Sequence, residues 1–228
     1  MKVLASDFDN TLFVDDINIL KKNIMAINKF IKNGNIFCII TGRNYSDIKL
    51  LLNKYNISYS YLICQDGAKV FDNLDFCIRS ILLEENKINI ISKILDDNNY
   101  KYFLDDGYNK TNNINDCVKV VSFYEDRKDA IRVVGKISKS VDVYIYISRE
   151  HINIMNSSVN KSSSLKWLIE KENYLISDIY VIGDEVNDLE MLSEFNGAVM
   201  KNHSKELDFL GKEEYEALYQ YIEELSKY

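Results

Sequence analysis

Four short apolar runs in this chain each stop at a polar or glycine-bearing motif: KVLAS (2–6) at DFDNT, IFCII (36–40) at TGR, YLIC (61–64) at QDG, and IYVI (179–182) at GDEVND. Short continuous runs of this kind read as strands buried on both faces of a parallel sheet. Between the first two runs, Ile17, Leu20, Ile24, Ile27 and Ile31 recur at helical spacing, and a second helical pattern fills 45–55. The order is β-α-β, so the expected fold class is α/β with a Rossmann-like parallel sheet. In open sheets of this class ligands bind beyond the carboxyl ends of the strands, which places all four motifs to meet in one site.

The alternation breaks in the middle of the chain. QDGAKVFDNLDFC predicts a hairpin. A helix over 84–96, strands at 101–104 and 118–123, a helix over 127–139, and strands at 141–147 and 151–155 follow. Two α-β-β units in succession predict a small antiparallel sheet with helices on one face. The expected organisation is a core of 1–79 and 156–228, with an inserted α+β (αββαββ) domain over 80–155. From 161 the core pattern resumes with the helix SSLKWLIEKEN, then IYVIGDEVNDLEML, a strand at GAVM and a C-terminal helix from about 213.

Composition narrows the function classes. The net charge of −7, from 28 basic and 35 acidic residues, carries no basic footprint of the kind nucleic-acid binders show. No apolar stretch approaches the roughly 20 residues of a membrane helix, and KVLAS meets Asp7 too early for a signal peptide. Cys38, Cys64, Cys77 and Cys117 lack CxxC spacing and read as free, mostly buried thiols. No GxGxxG occurs among the eight glycines, which disfavours a dinucleotide-dependent oxidoreductase. The expectation is a cytoplasmic protein, monomer or homodimer, with no nucleic-acid or membrane partner.

The acids at the strand ends carry the chemistry. A strand that finishes in Asp7 and Asp9 demands a cation, because an unpaired carboxylate near a core must be desolvated or protonated. GDEVND adds Asp184 and Asp188, with Asn187 placed to cap the following helix. Hard oxygen ligands without histidine or thiolate suit Mg²⁺ rather than Zn²⁺. In TGR, the Thr41 hydroxyl, the close backbone approach at Gly42 and the amides of a helix N-terminus suit phosphate oxygens. Arg43 reads equally as a substrate contact or as the partner of an acid. Lys161, at a helix start, can neutralise both a carboxylate and a phosphoryl group.

DFDNT, ITGR, a lysine before a helix and GDEVND, in that order, resemble the four motifs of the haloacid dehalogenase superfamily of phosphatases. The insert lies between the second and third motifs, as in the Cof-like branch with a type IIB cap. QDGA is similar to the NGA element of that branch, and NGAVMKNH to its late glycine-containing segment. The resemblance implies that Asp7 is a nucleophile forming an aspartyl-phosphate and that Asp9 is the general acid/base. It implies Mg²⁺ held by the Asp7 carboxylate, the Asp9 carbonyl and Asp184, with Asp188 in support. Thr41, Gly42 and Lys161 would position the phosphoryl group, with Asn187 assisting. The implied activity is hydrolysis of a small phosphorylated metabolite, and the short cap resembles that of members acting on phosphoglycolate or sugar phosphates. A phosphosugar mutase and a non-catalytic phosphate-binding module stay open as alternatives.

Two positions depart from that pattern. Ser162 stands where the branch often has glycine after the lysine. Asp66 stands where asparagine is common, and its charge is expected to point away from phosphate or to pair with a cation, Arg43 being the candidate. Elsewhere Asp15, Asp16, Asp105 and Asp106 read as solvated loop charges, His151 and His203 as structural, and Tyr144 and Tyr146 as packing residues of a sheet.

Overall fold

The computed structural model describes residues 1–148 and 151–227. In chain order the elements are β1 (Val3–Asp7), α1 (Ile17–Lys32), β2 (Ile36–Ile40), α2 (Tyr45–Tyr55), β3 (Tyr61–Cys64), β4 (Lys69–Asp72), β5 (Cys77–Ser80), α3 (Glu85–Asp97), β6 (Tyr102–Asp105) and β7 (Lys110–Thr111). They continue with β8 (Lys119–Phe123), α4 (Arg127–Ser140), β9 (Val143–Ile147), β10 (His151–Asn156), α5 (Lys161–Glu172), β11 (Ile179–Gly183), α6 (Leu189–Glu194), β12 (Asn196–Met200), β13 (Glu213–Tyr215) and α7 (Leu218–Leu225). Short 3₁₀ turns join several of them.

The first sheet runs β13-β12-β11-β1-β2-β3-β4-β5, parallel from β13 to β3 and antiparallel at β4 and β5. The strand β1 lies at its centre and is buried along its whole length, which is why its sequence is a continuous apolar run rather than an alternating one. Leu4 packs with Leu20, Ile27, Ile48 and Leu218 on one face. Val3 and Ala5 pack with Leu165, Leu168 and Met191 on the other. The chain winds outward from β1 through β2 and β3 in one direction and from β11 through β12 and β13 in the other. The gap between β1 and β11 is therefore the topological switch point, the position where such sheets open a crevice for ligand.

The second sheet is antiparallel, ordered β7-β6-β8-β10-β9. Its two faces separate by the period of two that strand geometry imposes. Leu104, Val120, Ile145, Ile152 and Ile154 face the helices α3 and α4, which contribute Ile88, Ile91, Leu95, Val133 and Ile137. Phe103, Asp105, Lys119, Val121, Tyr146 and Asn153 point the other way, into a cavity of about 510 Å³ shared with the ends of β1 and β2.

The elements follow local signals closely. Asp16 and Asn44 cap α1 and α2 by accepting from backbone amides two to three residues on. Asn160 forms a capping box with Ser163 at the start of α5. The C-terminal segment differs from the expected helix at 213. Glu213–Tyr215 form a strand, with Ala198 opposite Glu213 and Met200 opposite Tyr215, and the helix starts only at Leu218. The free edge of β12 offers this segment backbone hydrogen bonds and buries Tyr215 against Tyr221, which outweighs the helix preference of its glutamates.

One buried polar side chain ties three elements together. Asn23 of α1 donates from Nδ2 to the Leu12 carbonyl at 2.9 Å and accepts at Oδ1 from the Tyr219 amide of α7 at 2.9 Å. Replacing Asn23 by Leu leaves both backbone groups without partners. The variant is expected to lose about 1–3 kcal/mol of stability. Urea denaturation checks this, as a lower midpoint at unchanged slope.

Candidate active site

Register brings the motifs together. Asp7 lies opposite Ile40, the residue before Thr41, and Ser6 lies opposite Ile182, so Asp7 falls beside Gly183 and Asp184 follows at once. Parallel strands of matched length thus deliver DFDNT, TGR and GDEVND to one edge. Lys161, the first residue of α5, reaches this edge from the second layer. Its ammonium contacts Asp7 Oδ1 at 2.5 Å and Asp188 Oδ1 at 2.6 Å and is 1% exposed.

Asp188 is fully satisfied. Its Oδ2 accepts from the amides of Asp184 and Glu185, both at 3.0 Å, while Oδ1 takes Lys161. Only glycine at 183 permits this, since a Cβ there would lie 2.4 Å from the Asp188 carboxylate. Asp184 is the opposite case. Thr11 donates to its Oδ1 at 2.9 Å, but Oδ2 is buried and has no partner among the described residues.

Electrostatics say what is missing. The ligand oxygens of Asp7, Asp184 and Asp188 all lie within 4.8 Å of one another, around a single ammonium. Burial pushes the Asp7 carboxyl well above the usual range; Lys161 opposes this, and Asp188 and Asp184 add to it. Burial likewise pushes Asp184 up to about 7, with repulsion from Asp188 next in weight. Lys161 is held protonated, because Asp188, Asp7 and Asp66 outweigh its own burial. With all three carboxyls ionised one ammonium would leave two negative charges, which is why Asp7 and Asp184 hold their protons more tightly here, and the orphaned Asp184 oxygen marks where a positive ligand fits. An all-oxygen donor set with that deficit suits a hard divalent cation.

Asp9 points out of this cluster. Arg43 grips it bidentately, Nε to Oδ2 at 2.9 Å and Nη2 to Oδ1 at 2.7 Å, so the arginine is the partner of an acid. The side chains are 37% and 45% exposed, which makes this a pair that water can separate easily. Thr41 is buried, and its Oγ1 accepts from the Arg43 amide at 3.1 Å, folding the TGR turn around the head of β2.

Several side chains occupy places other than those expected. Asp66 does not meet Arg43: it is fully buried and pairs with Lys119 of β8 at 2.7 Å. Asn187 does not cap a helix, because its Nδ2 donates to Asp66 Oδ1 at 2.7 Å and α6 starts without a side-chain cap. Asp105 is no solvated loop charge. It ends β6 buried, accepting from Asn44 Nδ2 at 3.0 Å and from the Gly107 amide at 2.7 Å. The hydroxyls of Tyr144 and Tyr146 also reach out of the second sheet, to Glu190 of α6 and to Asp66 in the turn after β3, beyond simple packing. Ser162 donates to the Glu194 carboxylate, away from the cluster.

Thr11 and Lys119 are among the site residues that the motifs alone do not single out. Thr11 stood inside DFDNT. Lys119 was readable as the polar interruption in CVKVVSF, on the face that alternates away from Val118 and Val120.

A family model describing haloacid dehalogenase-like hydrolases matches residues 4–109 and 104–210. The chain is 24% identical over 216 residues to the 5-amino-6-(5-phospho-D-ribitylamino)uracil phosphatase of Bacillus subtilis, covering 91% of this chain and 86% of that one. Among solved structures, a haloacid dehalogenase-like hydrolase from B. subtilis superposes with a TM-score of 0.88 at 15% identity, covering 99% of this chain and 100% of the other. A haloacid dehalogenase subclass IIB sugar phosphatase does so with a TM-score of 0.80 at 14% identity, covering 100% and 98%. Four motifs converging on one strand edge, and a family match through most of the chain, lead to one conclusion: this protein belongs to the Cof-like branch of the haloacid dehalogenase-like hydrolases.

Proposed function

We propose that this hydrolase is a Mg²⁺-dependent phosphatase that releases inorganic phosphate from a small phosphomonoester, a sugar phosphate or a phosphoglycolate-like compound, through an aspartyl-phosphate on Asp7. The observation that carries the reading is the buried cluster at the switch point, with Asp7 on Lys161 and an unpartnered Asp184 oxygen behind it. Relatives of comparable length that bear phosphatase names support it.

The chain's own residues supply the nucleophile and the proton carrier. An Asp7 carboxylate oxygen attacks phosphorus as the ester P–O bond breaks, and protonated Asp9 gives its proton to the departing alkoxide. Asp9 then takes a proton from water, the resulting hydroxide attacks phosphorus, and the bond from Asp7 to phosphorus breaks to release phosphate. The exposed, separable grip of Arg43 on Asp9 suits a group that must change partners. Thr41, the Gly42 turn and Lys161 hold the phosphoryl oxygens, and positioning of this kind is most of what phosphoryl transfer requires. Asp7, the Asp9 carbonyl and Asp184 would hold Mg²⁺, with Asp188 in support; when bound, the ion neutralises the carboxylates and the phosphoryl charge. The segment 80–155 acts as a cap that excludes water and selects the leaving group. Four unpaired thiols favour the cytoplasm as the place of reaction.

Phosphate release over a panel of sugar phosphates, phosphoglycolate and nucleotides, with Mg²⁺, tests the reading directly. Asp7→Asn is expected to lose at least about a thousand-fold in turnover; full activity in that variant removes the nucleophile assignment.

A second expectation follows from Asp184. Its folded-state pKa of about 7 lies above the ordinary carboxylate value, so the folded protein keeps a proton that the unfolded chain releases. Stability of the metal-free protein should therefore fall as pH rises through about 7. In chelator, the melting temperature should be lower at pH 8 than at pH 5.5, and added Mg²⁺ should raise it more at pH 8. Equal effects of Mg²⁺ at both values would count against cation binding at these carboxylates.

A further inference from the structure

Asp66 is the most highly connected buried acid outside the carboxylate cluster. Its Oδ1 accepts from Asn187 of the first sheet's loops, and its Oδ2 accepts from Lys119 Nζ at 2.7 Å and Tyr146 Oη at 2.9 Å, both from the second sheet. Its own amide donates to the Thr41 carbonyl at 2.9 Å. A Cβ at Gly42 would lie 3.2 Å from Oδ1, so the carboxylate is packed directly against the TGR turn. Lys119 completes the junction by donating to the Gly42 carbonyl at 3.3 Å. Asp66 and Lys119 are 0% and 3% exposed, and burial of the acid is outweighed by Lys119 and Lys161, which hold it ionised.

We propose that Asp66 is the anchor that seats the five-stranded sheet over the catalytic carboxylates, a positioning residue acting through Lys119 and Tyr146. A buried ion pair of this kind carries a charge on each side of the junction between two sheets, so neither side tolerates separation unless water replaces the partner. Because the same carboxylate packs on Gly42, the arrival of the second sheet is tied to the turn that faces phosphate. The part of the cavity lining that the second sheet supplies, including Phe103, Val121 and Asn153, then has one fixed distance from the reacting group. Asp66 thereby sets which leaving groups fit. This last consequence rests on the phosphatase reading above.

A reporter of seating is built into the chain. The amide of Tyr45, at the first position of α2, donates to the Gly107 carbonyl of the β6–β7 loop at 2.8 Å. No earlier turn of the helix can take that amide, so its solvent exchange reads contact between the two parts. Asp66→Asn is isosteric, and Lys119→Met keeps the stem while removing the charge. Each is expected to speed hydrogen exchange at the Tyr45 amide at least tenfold, with the β1 amides unchanged. Each should also lower the ratio of kcat/KM for the best panel substrate to that for p-nitrophenyl phosphate about tenfold. Unchanged exchange at Tyr45 in both variants, or acceleration spread equally through β1, would overturn the anchor; an unchanged ratio would overturn its role in selecting the leaving group. The exchange measurement needs no turnover. An inactive wild-type protein would therefore defeat the phosphatase reading while leaving the anchor to be decided at Tyr45.

Discussion

The ammonium of Lys161 between Asp7 and Asp188 is the contact on which the rest of the arrangement depends. Removing a charge from water is expensive, and a lysine at the first turn of a helix also meets the positive end of the helix dipole. Both penalties are offset here because two carboxylates converge on one nitrogen, and that convergence requires the parallel register of β1 and β11, glycine at 183 and the Asn160 cap that starts α5 at this residue. The cluster is still short of positive charge. Its residual demand is concentrated at one oxygen of Asp184, which is why the site suits a divalent cation and a substrate whose oxygens share it.

The same logic repeats at the junction of the two sheets with the sign of the problem reversed. Lys119 arrives at the start of a mostly apolar strand and is accepted because Asp66 waits, already held by Asn187. Asp105 with Asn44, at the start of α2, makes a second polar bridge from the five-stranded sheet, and Tyr144 with Glu190 of α6 a third. Between these bridges lies the cavity, with the exposed pair of Asp9 and Arg43 at its edge. The division of labour is physical: buried pairs fix geometry, while the exposed pair exchanges partners cheaply.

Much of this is legible in the sequence. Tyr45–Tyr55 and Ile36–Ile40 fall where periodicity places them, because Asn44 caps the helix and the strand is apolar throughout. Glu213–Tyr215 did not, since the choice there belongs to the edge of β12 and not to the segment's own preference. Asp105 escapes local reading for a related reason. A lone acid after a strand looks solvated unless the residue that covers it is known, and Asn44 is 61 positions away. Asp66 stands out as unusual in the sequence, and the TGR motif offers Arg43 as its partner, whereas the ammonium that reaches it lies 53 residues further on.

The amino-acid sequence by itself determined the strand-end motifs and the positions of most strands and helices, because these depend on residues within a turn or two of one another. Only the tertiary structure decided which charges meet. Lys161 and Asp7 are 154 residues apart, Asp66 and Tyr146 80, and Asn187 and Asp66 121. Pairings across such separations are set by sheet order and strand register, which local spacing does not encode, and by burial, which turns a solvated charge into one that must find a partner.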